Sequence, residues 1–174
     1  MVLNLVLLLI IIILLIFLSM IWPPDSPWAP WWRTSDNTIR IALKLANVKK
    51  GDIVYDLGSG DGKSVIISAK EFGAKGVGVE IDPLRFYISK LLAKIFGVSK
   101  NVKFIKKNFY NVNISDADVI FTYLVPKTLA KLKHKFLKEL KKGTKVIAVN
   151  YEIDLPKIKS IKVDNRIVYL YRIP

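Results

Sequence analysis

Residues 53–64 read Ile-Val-Tyr-Asp-Leu-Gly-Ser-Gly-Asp-Gly-Lys-Ser, a short apolar strand running into a turn with glycine at every second position. Glycine lets a chain turn tightly and approach a ligand with no Cβ in the way. A strand, such a turn and then a helical pattern make the opening of an α/β unit. The alternation continues downstream. A helix is predicted from Ser35 or Asp36 to Ala46, a turn at 49–52, strand one at Ile53–Leu57 and a helix at Lys63–Phe72. Strand two is expected at Val77–Glu80, a helix at Pro83–Phe96, strand three at Val102–Lys106 and strand four at Val119–Tyr123. A long helix over Lys127–Lys141 and strand five at Val146–Val149 follow. Asp164-Asn165 then joins two terminal strands, Ile158–Val163 and Ile167–Tyr171. The expected fold is a doubly wound, Rossmann-like α/β domain, its mainly parallel sheet carrying a C-terminal antiparallel hairpin.

Ahead of this domain, residues 2–22 are almost wholly apolar, with Asn4 and Ser19 the interruptions, and the first charged side chain is Asp25. Twenty-one residues at about 1.5 Å each span roughly 31 Å, the depth of a bilayer core. A cleaved signal peptide would want a basic start, a shorter apolar stretch and a small-residue cleavage site. The sequence therefore predicts one transmembrane helix over 1–22, with Trp22, Trp28, Trp31 and Trp32 as an interfacial belt. A Pro- and Trp-rich connector spans 23–34 and the α/β domain 35–174. Arg33, Arg40 and Lys44 lie beyond the span and nothing basic precedes it, which predicts a single-pass cell-membrane protein with its domain in the cytoplasm.

Three phosphate or nucleoside readings compete for the glycine turn. A P-loop would need glycine at position 57, where Leu57 stands, and a dinucleotide fingerprint would need it at position 63, where Lys63 stands. What remains is an acid, Asp56, at a strand end before Gly58, Gly60 and Gly62. A carboxylate there repels pyrophosphate and suits a cation. Glu80 ends the next strand, where an acid can hold ribose hydroxyls. Together they describe a site for a nucleoside with a positively charged amino-acid tail, which S-adenosylmethionine (SAM) satisfies. With no Cys and a single histidine, thiolate metal sites, a cysteine nucleophile and a His-rich metal site are excluded. His134 falls on an amphipathic helix with no accompanying Ser or acid motif and reads as a surface residue.

The stretch from Val54 to Pro83 resembles motif I and the acidic-strand motif of class I, seven-strand, SAM-dependent methyltransferases. With its apolar start, Glu80-Ile81-Asp82-Pro83 and the terminal hairpin ending Tyr169-Leu170-Tyr171-Arg172, the chain also resembles a particular family. These are the small membrane-anchored protein-lysine methyltransferases that modify the membrane-ring subunit of ATP synthase or the adenine nucleotide translocase. That resemblance implies that Asp56, Gly58, Ser59, Gly60, Asp61 and Gly62 line the methionine moiety, that Glu80 holds the ribose and that Ile81 packs on adenine. Asn108, where relatives carry Asp, and Phe109 would complete the adenine site. The segment after strand four, with Thr122, corresponds to the acceptor region and lacks the (Asn/Asp)-Pro-Pro-(Tyr/Phe) signature of enzymes that methylate nucleic-acid or glutamine nitrogen. A lysine side-chain amine of a protein is then the expected acceptor.

Methyl transfer to an amine needs alignment and an uncharged nucleophile, whereas free lysine has a pKa of about 10.4. Tyr123 and Tyr151, at the ends of strands four and five, are the candidate catalytic residues, and Trp32 and Thr34 could close the slot they form. Partners follow from the same reading: a membrane-associated protein substrate, and the bilayer itself through the N-terminal helix. The chain carries +14 overall, and residues 127–145 hold eight Lys against Glu139. That run reads either as a solvated face or as a surface for anionic lipids; an anchor argues against nucleic acid. A lipid or quinone methyltransferase, or a nucleoside-binding module without chemistry, remains the alternative.

Overall fold

The computed structural model describes residues 2–21 and 32–174 and divides the chain into two units, Met1–Trp32 and Arg33–Pro174. The first unit holds α1 (Val2–Ile21), the apolar run in helical form. Among the described residues no helix is long and apolar enough to cross a membrane. The expected transmembrane helix, and with it the single-pass cell-membrane localisation with a cytoplasmic domain, is corrected by that finding. The expected tryptophan belt at Trp22, Trp28 and Trp31, and most of the expected connector, lie outside the described residues.

The second unit contains α2 (Asp36–Leu45), β1 (Ile53–Leu57), α3 (Lys63–Phe72), β2 (Lys75–Glu80), α4 (Pro83–Ile95), β3 (Val102–Lys106) and β4 (Val119–Thr122). After these come α5 (Pro126–Glu139), β5 (Lys145–Val149), β6 (Lys157–Val163) and β7 (Arg166–Arg172). Local chemistry sets the helix starts. Ser35 caps α2 by accepting from the Thr38 N–H at 3.1 Å, and Asp82 caps α4 by accepting from the Arg85 N–H at 2.8 Å, with Pro83 in the first turn.

Seven strands form one mixed sheet in the order β3-β2-β1-β4-β5-β7-β6. The first five are parallel, β7 runs antiparallel to β5, and β6 antiparallel to β7. On one face α2 and α3 bury Ile39, Leu43 and Ile67 with Val54, Phe121, Ile147 and Val168. On the other, α5 buries Leu129, Leu132 and Phe136 with Leu57, Ile120 and Val146. Complete burial of a side chain such as Phe136 is worth roughly 1.5–3 kcal/mol. The third apolar cluster joins α3 to α4 through Ile66, Ala69 and Ala93.

This topology gathers chemistry at one end. The parallel strands β1, β2, β4 and β5 all finish there. Because β6 returns to their direction, the turn at Asp164-Asn165 between β6 and β7 finishes there too. No helix intervenes between β5 and β6; α2 packs on β6 and β7 instead.

Candidate active site

The glycine turn after β1 is built by left-handed backbone and by an acid from the neighbouring strand. Gly58, Gly60 and Gly62 adopt φ of 84°, 54° and 79°, a region that side chains with a Cβ rarely enter. At Gly62 crowding adds to the requirement, since a Cβ would lie 2.7 Å from the Phe104 ring. Glu80, at the end of β2, threads the turn to its own strand. One carboxylate oxygen accepts from Gly60 N–H at 2.8 Å, and the other accepts from Ile81 and Asp82 N–H, each at 2.9 Å. Three amide donors occupy most of the carboxylate's roughly four lone-pair sites, so Glu80 has room for about one further donor.

The glycine-turn amides are also committed. Gly58 and Ser59 N–H both donate to Val79 O, at 2.8 and 3.0 Å, and Gly62 N–H donates to Ser59 O at 2.8 Å. The glycines therefore shape the site.

Asp56 lies on β1 between Gly78 of β2 and Phe121 of β4. It is buried and accepts a hydrogen bond from the Ser64 hydroxyl in the first turn of α3. Burial pushes its pKa up to about 7; Ser64 opposes the shift, and the nearby charges of Glu80 and Asp61 add to it. The acid read from the sequence as a standing negative charge is thus poised between protonated and ionised near neutrality. Asp61 is buried as well, with its Oδ2 3.5 Å from Arg33 Nη2 and without a hydrogen-bond partner. Ser59 Oγ is likewise buried without one. Arg85, on the first turn of α4, is buried nearby; desolvation lowers its pKa while Glu80, Asp82 and Asp61 pull it back up.

Beside this acidic turn stand the acceptor-side candidates. Tyr123 follows β4. Burial lifts its phenol above the ordinary range, Arg166 opposes that shift and Tyr151 reinforces it, which puts the three groups within electrostatic reach of one another. The Arg166 guanidinium carbon sits 4.6 Å from the centre of the Tyr123 ring. Tyr151 leaves the sheet after Asn150, whose φ of 72° turns the chain and whose N–H donates to Ile167 O at 2.7 Å. Strained backbone of this kind in a non-glycine residue concentrates at functional positions.

The remaining candidates are placed as follows. Ile81 is half-buried beside Glu80. Asn108 is exposed and caps a short 3₁₀ turn, Phe109–Asn111, by accepting from Tyr110 N–H at 3.0 Å, and Phe109 is half-buried within that turn. Thr122 is fully buried and its hydroxyl donates to Ile147 O at 2.9 Å, so it ties β4 to β5. Thr34 lines a cavity of about 470 Å³ together with Lys63, Asp164 and Arg166. Trp32 is exposed and falls in the first unit.

Arg33, Arg85, Arg166 and Asn150 escape sequence reading. Of these, only Asn150 leaves a local trace, since asparagine tolerates left-handed backbone at a strand end.

Comparison with known proteins bears on the family and the fold. Residues 56–161 match the ANTKMT methyltransferase domain. A protein-lysine N-methyltransferase of Saccharolobus islandicus (strain REY15A) is 42% identical over 161 residues, covering 87% of this chain and 96% of the relative. The adenine nucleotide translocase lysine N-methyltransferase of Mus musculus is 28% identical over 125 residues, 71% of this chain and 54% of the relative, so the chain spans about half of that protein. Among solved structures, an RNA methyltransferase from Salinibacter ruber in complex with S-adenosyl-L-homocysteine superposes with a TM-score of 0.81 at 34% identity. It covers 82% of this chain and 94% of that one.

Proposed function

We propose that this chain, which belongs to the ANTKMT methyltransferase domain family, transfers a methyl group from SAM to the side-chain amine of a lysine in a protein. Residues 35–174 form the catalytic domain in this reading. The observation that carries it is the adjacency of two half-sites: an acidic, glycine-shaped turn at the ends of β1 and β2, and an aromatic pair at the ends of β4 and β5. The lysine acceptor is supported by a relative whose length the chain matches almost completely.

The residues present fit the cofactor. Asp61 Oδ2 and Ser59 Oγ are buried without hydrogen-bond partners, as a site for an amino-acid tail requires. Asp61 and Arg33, of opposite charge and 3.5 Å apart, would take the ammonium and carboxylate ends of that tail. Asp56 would add negative charge beneath it. Glu80 would accept one ribose hydroxyl, and Ile81, Asn108 and Phe109 would border the adenine. The cofactor supplies the electrophilic methyl of a sulfonium. Tyr123 and Tyr151 present an aromatic slot in which lysine loses water, which favours its neutral form, and a phenol oxygen can accept a hydrogen bond from the amine.

The test is incubation of the full chain with methyl-labelled SAM and a cell extract, followed by separation of protein, RNA and lipid. Label recovered as methyllysine after hydrolysis of the protein is the expected result. Label in RNA would favour a second reading, which the similarity to the Salinibacter RNA methyltransferase and the +14 charge of this chain support.

A further inference from the structure

Arg166, the first residue of β7, stands where the hairpin, the entry segment and the end of β4 converge. Its Nη2 donates to the Arg33 backbone oxygen at 2.7 Å, and its guanidinium lies over the Tyr123 ring. Its Nη1 is buried and has no hydrogen-bond partner. Among the described residues no carboxylate lies within ion-pair distance of it, whereas Arg33 reaches Asp61 and Lys63 reaches Asp36.

The nearest acid in the same cavity wall is already occupied. Asp164 accepts from Ser35 Oγ and Thr38 Oγ1 at 2.9 and 3.2 Å through one oxygen, and from Asn37 Nδ2 at 3.2 Å through the other. These bonds fix the hairpin turn to the start of α2. Arg166 is half-buried and lines, with Arg33 and Lys63, a cavity of about 470 Å³ that is roomy enough for a side chain from another molecule and in which positive charge outnumbers the one acid, Asp164.

We infer that this cavity is a specificity subsite in which Arg166 binds a carboxylate side chain of the acceptor protein, next to the lysine being methylated. A planar guanidinium that lines the cavity with no carboxylate in ion-pair distance among the described residues is suited to one from a partner, and the charge-assisted bond is among the stronger ones a surface site can make. The ring contact with Tyr123 places the subsite beside the acceptor slot. An extended chain advances ~3.3–3.6 Å per residue, so the acid falls within about two residues of the lysine. This rests on the lysine reading above, and Arg166 acts here as a positioning residue.

The experiment uses fluorescent lysine peptides carrying one Glu at −2, −1, +1 or +2, with the matching Gln peptides as controls. Binding is read by anisotropy with the cofactor product present, and methyl transfer is read separately. The expected result is that at least one Glu peptide binds the wild-type chain about 5-fold or more tightly than its Gln partner. In Arg166→Gln that ratio falls to near 1, and Arg166→Lys keeps part of the preference. Equal binding of every Glu and Gln pair by the wild-type chain overturns the inference, whatever the variants do. Preferential binding without transfer to any peptide sinks the lysine reading and leaves the subsite standing.

Discussion

Asp56 makes the affinity for a cationic cofactor depend on pH in a way that can be calculated. Its pKa of about 7 arises from burial among Glu80 and Asp61 and means that about half of the ligand-free molecules carry a proton there at neutrality. If the sulfonium and ammonium charges are accepted only by the ionised form, the apparent Kd is the intrinsic value multiplied by 1 + 10^(pKa − pH). That factor is roughly 11 at pH 6 and roughly 1.1 at pH 8, so affinity rises about 10-fold across the interval, and about half a proton leaves per ligand bound at pH 7. Stability of the ligand-free protein moves the other way. A folded-state pKa above the unfolded value of ~3.9 stabilises the fold below pH ~4, and the contribution is lost as pH rises through 7. The loss is on the order of 4 kcal/mol for about three units. Calorimetry in buffers of differing ionisation enthalpy reads the proton release, and thermal melts from pH 5 to 8 read the stability. Asp56→Asn is the control, because titration of the ligand's own amino group is common to both proteins. Parallel affinity and melting profiles for the two, with no difference in proton release, would refute the reasoning.

Gly62→Ala combines a left-handed φ of 79° with a Cβ 2.7 Å from Phe104 and 2.9 Å from Ser89 Cβ. It is expected to cost about 2–4 kcal/mol in urea denaturation, and a loss below about 1 kcal/mol would show that Phe104 moves aside freely. Tyr123→Phe and Tyr151→Phe should each lower kcat by about 10-fold or more with cofactor Kd unchanged within about 2-fold; unaltered turnover removes that tyrosine from the mechanism. The Ser35 hydroxyl, with Asn37, Thr38 and the Arg166 charge, holds the Asp164 carboxyl below its usual range, so the latch onto α2 persists above pH ~4 and is lost as pH falls through the lowered pKa. Hydrogen exchange at Thr38 and Ile39 should therefore quicken in Asp164→Ala at neutral pH, and identical exchange would mean that α2 needs no latch.

What the sequence made legible was local. The periods of 2 and 3.6 place every strand and helix of the second unit within a few residues of where it lies, because each element buries one face that its own residues define. The glycine turn could be read for the same reason: left-handed backbone and a neighbouring acid leave a mark within thirty positions. Long-range contacts leave none. Arg33 and Arg166 meet across 133 positions, and Asp164 holds residues 126–129 positions away. In the sequence Asp164-Asn165 is only a turn signal. The raised pKa of Asp56 was not legible because desolvation depends on what packs around a carboxyl, which a string of residue types does not record. The apolar run, its tryptophans and the basic residues beyond it carried a membrane expectation, whereas among the described residues no helix is long and apolar enough to cross a membrane.

The sheet itself supplies much of what the reaction needs. β1 is flanked by β2 on one side and β4 on the other, so Asp56 has Gly78 and Phe121 as its lateral neighbours. Adjacent strands lie ~4.8 Å apart, and one step from β1 leads from the acidic turn to the strand that ends before Tyr123. In the proposed reading, donor and acceptor half-sites would therefore be held together by backbone hydrogen bonds rather than by side chains that must find one another. Thr122, bonded to Ile147 O, locks the end of β4 to β5 and so fixes Tyr123 against the strand that precedes Tyr151. In-line transfer to a neutral amine gains most from such fixed approach. On that reading, polar substitutions at Tyr123 and Tyr151 would tune how much lysine is uncharged and which lysine is chosen, while the approach fixed by the sheet would stay as it is.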